Sequence, residues 1–106
     1  MIIRSWKARA VGDKFETYAR HFRDVVVPEI AEVPGHAGAY LLRRTVGAHV
    51  EVVVLTLWDS MDAIAEFAGP VPERAVVAPA AAQLLESFDT TVEHFEVAFD
   101  STRRSP

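Results

Sequence analysis

The chain contains no cysteine. That removes disulfide staples, thiol nucleophiles and thiolate metal sites together, and it suits a reducing compartment, so the expected setting is the cytoplasm. Long hydrophobic runs are also missing. No stretch approaches the roughly 20 apolar residues that a membrane-crossing helix needs, and the start MIIRSWKARA has no apolar core after its basic residue, so no signal peptide is expected. Clustered positive charge is absent as well: the formal net charge is −4 and the 11 Lys and Arg residues are scattered. A nucleic-acid partner is therefore not expected. Gly-rich phosphate loops, G-x-S-x-G elbows and H-E-x-x-H pairs do not occur. The glycines of Gly35-His36-Ala37-Gly38 follow a helix and precede a strand, the wrong order for a dinucleotide site. The four histidines (His21, His36, His49 and His94) have no metal-ligand spacing, so no metal is expected.

What remains is a chain of 106 residues, half of them hydrophobic, enough for one domain with its own core. Residues 1–99 read as that domain, and Asp100–Pro106 as a polar, flexible tail. Ile2–Ala10 alternates imperfectly with period two, a strand signal. Gly12-Asp13 stops it, and Asp13 and Glu16 have capping-box spacing. Phe15, Ala19, Phe22, Val26, Ile30 and Val33 recur at three- and four-residue steps, predicting one amphipathic helix from about Lys14 to Glu32. Pro28 should kink it and Pro34-Gly35 should end it. Ala37–Thr45 and Val50–Trp58 read as a hairpin around Val46–His49. Asp59-Ser60 caps a short helix from Met61 to about Ala68. Pro72–Pro79 reads as irregular, Ala80–Ser87 as a helical piece, and Thr90–Phe99 as the last strand.

The order β-α-β-β-α-β suits an α+β, ferredoxin-like antiparallel sheet with helices on one face. The strand Val50–Trp58 is apolar on both sides, yet one such domain covers only one sheet face. A homodimer through the sheet faces, a dimeric α+β barrel, is therefore expected. A monomer with a merely hydrophobic strand is the alternative.

Candidate site residues come from the aromatic and titratable side chains. Trp6, mid-strand between Arg4 and Ala8, sits where such a fold opens beneath its helices. Arg4, Trp6, His21, Phe22, Tyr40, Trp58 and Phe67 are the candidate substrate contacts, against the plainer reading that most aromatics are core. His94 is the candidate proton acceptor, since histidine titrates near neutrality. His94 and His21 equally suit interface or boundary positions, and His36 and His49 suit turns. Arg43-Arg44 ends a strand with one residue toward each face, either anchoring an acidic or enolate oxygen or standing as a solvated strand end or an intersubunit salt bridge.

The run Thr56-Leu57-Trp58-Asp59-Ser60-Met61-Asp62-Ala63-Ile64 through Phe67-Ala68-Gly69, with Pro34-Gly35 before the second strand and the closing Val92-Glu93-His94-Phe95-Glu96-Val97, resembles the antibiotic biosynthesis monooxygenase domain family across about residues 1–99. The resemblance implies a dimeric α+β barrel with a pocket between sheet and helices in each subunit. It also implies oxygenation of a small aromatic or polyketide-type molecule without flavin or metal. A base deprotonates an anthrone- or hydroquinone-like substrate, and the electron-rich carbanion then reduces O₂. In that likeness Trp6 and Trp58 are pocket-wall or structural aromatics and His94 the base. A haem-degrading branch of the family uses an Asn on the first strand, a Trp in the second helix and a His soon after. Here Trp6 lies near the first position, Phe67 replaces the second, and Pro70–Val77 contains no His. Haem binding would then fall to His21 or His94. The remaining alternative is a non-oxygenase role on the same scaffold: a binding or stress-response dimer, a cyclase or an isomerase.

Overall fold

A computed structural model describes residues 1–102. Five strands form one antiparallel sheet: β1 (Ile2–Val11), β2 (His36–Val46), β3 (His49–Trp58), β4 (Ser87–Phe88) and β5 (Glu93–Glu96). β1 lies between β3 on one side and β4 with β5 on the other, and β2 flanks β3. This is the ferredoxin-like α+β order that the element sequence predicts. Every second residue of β3 from Val50 to Trp58 is buried, while Val53, Leu55 and Leu57 between them are only half-buried. Period-two alternation has therefore put one row under the helices and left an apolar row on the open face. Register extends that open row across the sheet, with Tyr40 beside Leu55, Leu42 beside Val53, and Ile3 between Phe95 and Leu57.

The predicted long helix is continuous but not uniform. A 3-10 turn (Gly12–Lys14) leads into α1 (Phe15–His21), then a π turn (Phe22–Val26), then α2 (Val27–Ala31). The π turn sits just ahead of Pro28. Proline has no N–H for the Asp24 carbonyl four residues back, and the Val27 N–H bonds instead to the Phe22 carbonyl. The expected capping box does not form. Neither Val11 nor Lys14, the residues at the helix starts, makes a side-chain cap, and Glu16 turns outward to Arg43 at 3.0 Å. The second helix keeps its cap: Ser60 Oγ accepts from the Ala63 N–H at 3.2 Å and starts α3 (Met61–Ala68), worth about 1 kcal/mol.

The hairpin turn is tighter than expected. Only Gly47 and Ala48 lie between the strands, with Gly47 at φ 61° and no positive φ at Ala48, the pattern of a II′ turn. The last third of the chain departs most from expectation. The helical piece shrinks to α4 (Pro79–Ala82), and the single final strand is split. Ala8 pairs with Phe88, whereas Ser5 pairs with Glu93, so the edge register slips by two residues. The intervening Thr90–Val92 lifts away to pair with residues 73–75, through Ala75 N–H to Thr90 O at 2.9 Å and Val92 N–H to Glu73 O at 2.8 Å. Of the tail Asp100–Pro106, residues 103–106 lie outside the described residues. No helix among the described residues is long and apolar enough to cross a membrane.

Candidate functional site

Between the sheet and the helices lies a cavity of about 110 Å³. β1 contributes Arg4 and Trp6 to it, and β3 contributes Val54 and Thr56. These are alternate residues, so the pleat delivers all four to the same face. Tyr18, Phe22, Val26, Glu29 and Ile30 line it from the helical segment, at three- and four-residue steps, and Phe67 from α3. Val76–Ala78, Ala81 and Val92 close the far wall. The lining is mainly apolar, with polar groups only at Arg4, Tyr18, Glu29 and Thr56, apart from the Trp6 N–H.

Arg4 is the unusual member. It is 4% exposed, and no carboxylate among the described residues forms an ion pair with it. One NH₂ donates to Pro72 O at 2.5 Å and to Nε2 of His94 at 3.0 Å, and the other donates to Arg74 O at 2.8 Å. Its guanidinium also stands over the Phe67 ring, 5.7 Å from the centroid. Of the five N–H groups a guanidinium carries, two thus have no partner among the described residues. Burial pulls the Arg4 pKa down, and Glu73 partly opposes this. A buried cation with no carboxylate in direct contact is costly, and such sites are enriched at places that bind something of opposite charge.

His94 does not line the cavity. It stands opposite Arg4 on β5, and since arginine only donates, the His94 Nε2 must be the acceptor. Its pKa is lowered by burial first and by Arg4 second. The lone pair a base would use is thus already directed at Arg4, which argues against His94 as the proton acceptor and makes it a support for the arginine.

The other candidates divide clearly. Trp6 and Phe22 border the cavity, and the Trp6 indole donates to Asp89 O at 2.8 Å, pinning the slipped edge strand. Phe67 borders it too. Trp58, fully buried, lies behind Phe67 with their rings stacked at 5.4 Å, and its indole donates to Thr56 Oγ1 at 2.8 Å. Tyr40 lies on the opposite sheet face, 55% exposed, because it shares register with Leu55 rather than Val54. His21 does not reach the cavity, and its buried Nε2 has no partner. His36 packs edge-on against Trp58 at 5.1 Å, and burial lowers its pKa. His49 faces Glu86 at 2.7 Å. Arg43 and Arg44 form surface ion pairs with Glu16 and Glu51 within the chain and anchor nothing in the cavity.

Two further polar residues line the cavity: Tyr18, which the sequence offers as one of several possible wall aromatics without singling it out, and Glu29, which the sequence reading misses. Tyr18 is 3% exposed and makes no hydrogen bond among the described residues. Burial pushes its phenol up to about 12, so it stays a neutral donor. Glu29 is the one carboxylate on the cavity. The signal for both is their spacing: Tyr18, Phe22, Val26 and Glu29 or Ile30 trace one helical stripe, which on sequence alone reads as core.

Among the described residues no group of three His, Cys, Asp or Glu could hold a metal ion. Haem fits poorly. Neither His21 nor His94 lines the cavity, and the His94 Nε2 already accepts from Arg4.

The model of one family, antibiotic biosynthesis monooxygenase, matches residues 1–69. No curated protein matches the chain. Several solved structures share its fold. A Bacillus cereus protein provisionally described as an antibiotic biosynthesis monooxygenase has TM-score 0.69 and 16% identity, with 99% of this chain and 98% of that one covered. The haem degrader MhuD of Mycobacterium tuberculosis, solved with two haems in its active site, has TM-score 0.60 and 22% identity, covering 96% and 100%. SnoaB of Streptomyces nogalater, a cofactor-independent oxygenase, has TM-score 0.57 and 16% identity, covering 96% and 98%.

Proposed function

The chain belongs to the antibiotic biosynthesis monooxygenase family, and from that premise we propose that it oxygenates a small aromatic or polyketide-type substrate in the Arg4–Trp6 cavity without a bound cofactor. The observation that carries the reading is the buried Arg4, which forms no direct ion pair among the described residues, on a mainly apolar cavity. Such a cation lowers the energy of an oxyanion that develops beside it, and does so best where water is excluded.

The chemistry needs an enolisable or phenolic C–H₂ or ring carbon. Glu29, on the cavity, takes the proton in place of His94, whose Nε2 faces Arg4. Charge moves onto the substrate oxygen, where Arg4 stabilises it. The carbanion gives an electron to O₂, and the radicals combine into a peroxide. Loss of water from a CH₂-derived hydroperoxide leaves C=O, so one oxygen atom enters the product and the other leaves as water with the two hydrogens. Trp6, Phe22 and Phe67 supply flat apolar walls for the ring. Known structures of this fold include one haem degrader and one cofactor-independent oxygenase, and the poor fit of His21 and His94 supports the second reading. We further assign a homodimer through the sheet faces and a cytoplasmic setting. Oxygen-electrode measurements on a panel of hydroquinones and anthrones test the reaction, with uptake expected for at least one compound. A haemin titration should give no saturable Soret shift.

A second reading rests on the same groups. A carboxylate opposite an oxyanion-stabilising cation also equips an enolising isomerase. Solvent deuterium appearing at the acidic carbon with no oxygen uptake would select it.

A further inference from the structure

We propose that Tyr18 is the specificity-determining residue of this cavity: together with Arg4 it selects the ionised oxygen of a single-ring phenol or enol over an uncharged ring of the same size. The inference rests on the small-aromatic reading of the site and narrows its substrate class.

The donors outnumber their acceptors. Arg4 keeps two N–H groups without partners. The Tyr18 hydroxyl has none among the described residues although the residue is 3% exposed. Thr56 already accepts from the Trp58 indole at 2.8 Å, which leaves its own O–H to donate. All three residues line the same cavity. The Tyr18 hydroxyl is not among the side-chain polar atoms sealed off without a partner, so it is open to the cavity it lines and free to donate there, and no contact within the fold needs it. A ligand with a negatively charged oxygen satisfies Tyr18 and Arg4 together. A neutral apolar ring leaves both unsatisfied and adds the cost of desolvating them. Polar sites of this kind discriminate strongly against analogues lacking the polar group.

Size narrows the class further. The cavity of about 110 Å³ is slightly smaller than an apolar cavity of roughly 150 Å³ that accommodates benzene. One ring is about what a cavity of that size holds. A tricyclic ring system is larger than that volume.

Binding of 4-nitrophenol tests this without any turnover, because its phenolate absorbs visible light and its neutral form does not. Wild-type protein is expected to keep the bound probe as phenolate at a pH where the free probe is largely neutral. It is also expected to bind nitrobenzene at least tenfold more weakly, and to release the probe less readily to a tricyclic anthracenol than to phenol. Tyr18→Phe should fold with unchanged or higher stability, lose about tenfold in nitrophenolate affinity and bind nitrobenzene as before. Nitrophenolate binding unchanged in Tyr18→Phe, nitrobenzene binding as tight as nitrophenolate, or no binding of either probe overturns the proposal. Phenolate capture with no oxygen uptake from any substrate overturns the oxygenase reading and leaves Tyr18's role standing. Oxygen uptake with a Tyr18→Phe variant that binds phenolates normally does the reverse.

Discussion

Arg4 and His94 face each other across the β1–β5 ladder with the guanidinium donating to Nε2 at 3.0 Å. The contact exists only while the imidazole is neutral, because a protonated ring would set two donors and two positive charges against each other. Burial and Arg4 together hold the His94 pKa below its ordinary value of 6.5, with Glu73 opposing, and burial does the same to His36. For these groups the unfolded chain takes up protons first. Stability is therefore full above the unfolded value near 6.5 and declines as pH falls toward the lower folded values. The urea midpoint should drop between pH 7.5 and pH 5. In His94→Gln, which keeps an acceptor but cannot titrate, the drop should be smaller. An equal drop in both proteins would remove His94 from the explanation.

Gly35 and Gly47 both have positive φ, at 92° and 61°, yet they should respond differently to alanine. A Cβ on Gly35 would sit 2.6 Å from the Cβ of Ala63, while one on Gly47 meets open space. Gly35 O also accepts from the Asp59 N–H at 2.8 Å, tying the start of β2 to the end of β3. Gly47→Ala should cost about 1 kcal/mol from conformation alone. Gly35→Ala should cost about 2–4 kcal/mol, since overpacking adds to the backbone term. Chemical denaturation of both variants checks the difference.

Much of the architecture is legible because it rests on local periodicity. The alternation of β1 and β3, the apolar stripe of the long helix and the Ser60 cap are short-range features, and each appears where the residues predict it. The failures are tertiary. Nothing near Asp89 signals that Thr90–Val92 leaves the sheet to pair with residues 73–75, because that pairing is decided by a segment some 16 residues away. Pro28 marks where the helix must adjust but not that a π turn does it. At the site, Arg4, Trp6, Phe22 and Phe67 can be picked out as chemically distinctive side chains. Tyr18 and Glu29 look like one more aromatic in a core stripe and one more surface acid, and only the cavity separates them from their neighbours.

Arg4 has a structural duty that a substitution should expose. Its donation to Pro72 O and Arg74 O fastens the irregular segment that leads into the Val76–Ala78 wall. Arg4→Met keeps the apolar stem and leaves two carbonyls without their donor. At about 1–3 kcal/mol for each buried unsatisfied group, partly offset by removing an unpaired buried cation, a net loss of about 1–4 kcal/mol is expected. The amide of Ala75, bonded to Thr90 O at 2.9 Å, should lose hydrogen-exchange protection while those of β3 keep theirs. Uniform loss across the sheet would show general destabilisation instead of a released segment.

The open sheet face gives the last prediction. Tyr40, Leu42 and Phe95 are 55%, 43% and 54% exposed, and they surround the half-buried Leu55 and Leu57. Monomeric proteins rarely leave so continuous an apolar surface to water. Stacking a second sheet on it would bury these side chains at roughly 25 cal/mol per Å², and it would leave the cavity on the other face untouched. Wild-type protein should therefore sediment as a dimer at micromolar concentration. Leu55→Glu places a charge at the centre of the face and should shift the species toward monomer, whereas Glu66→Lys on the exposed side of α3 should not. A wild-type protein that sediments as a monomer at all concentrations would leave the apolar row needing another partner. A monomeric Leu55→Glu that still binds nitrophenolate as wild type does would show that each subunit carries a complete site.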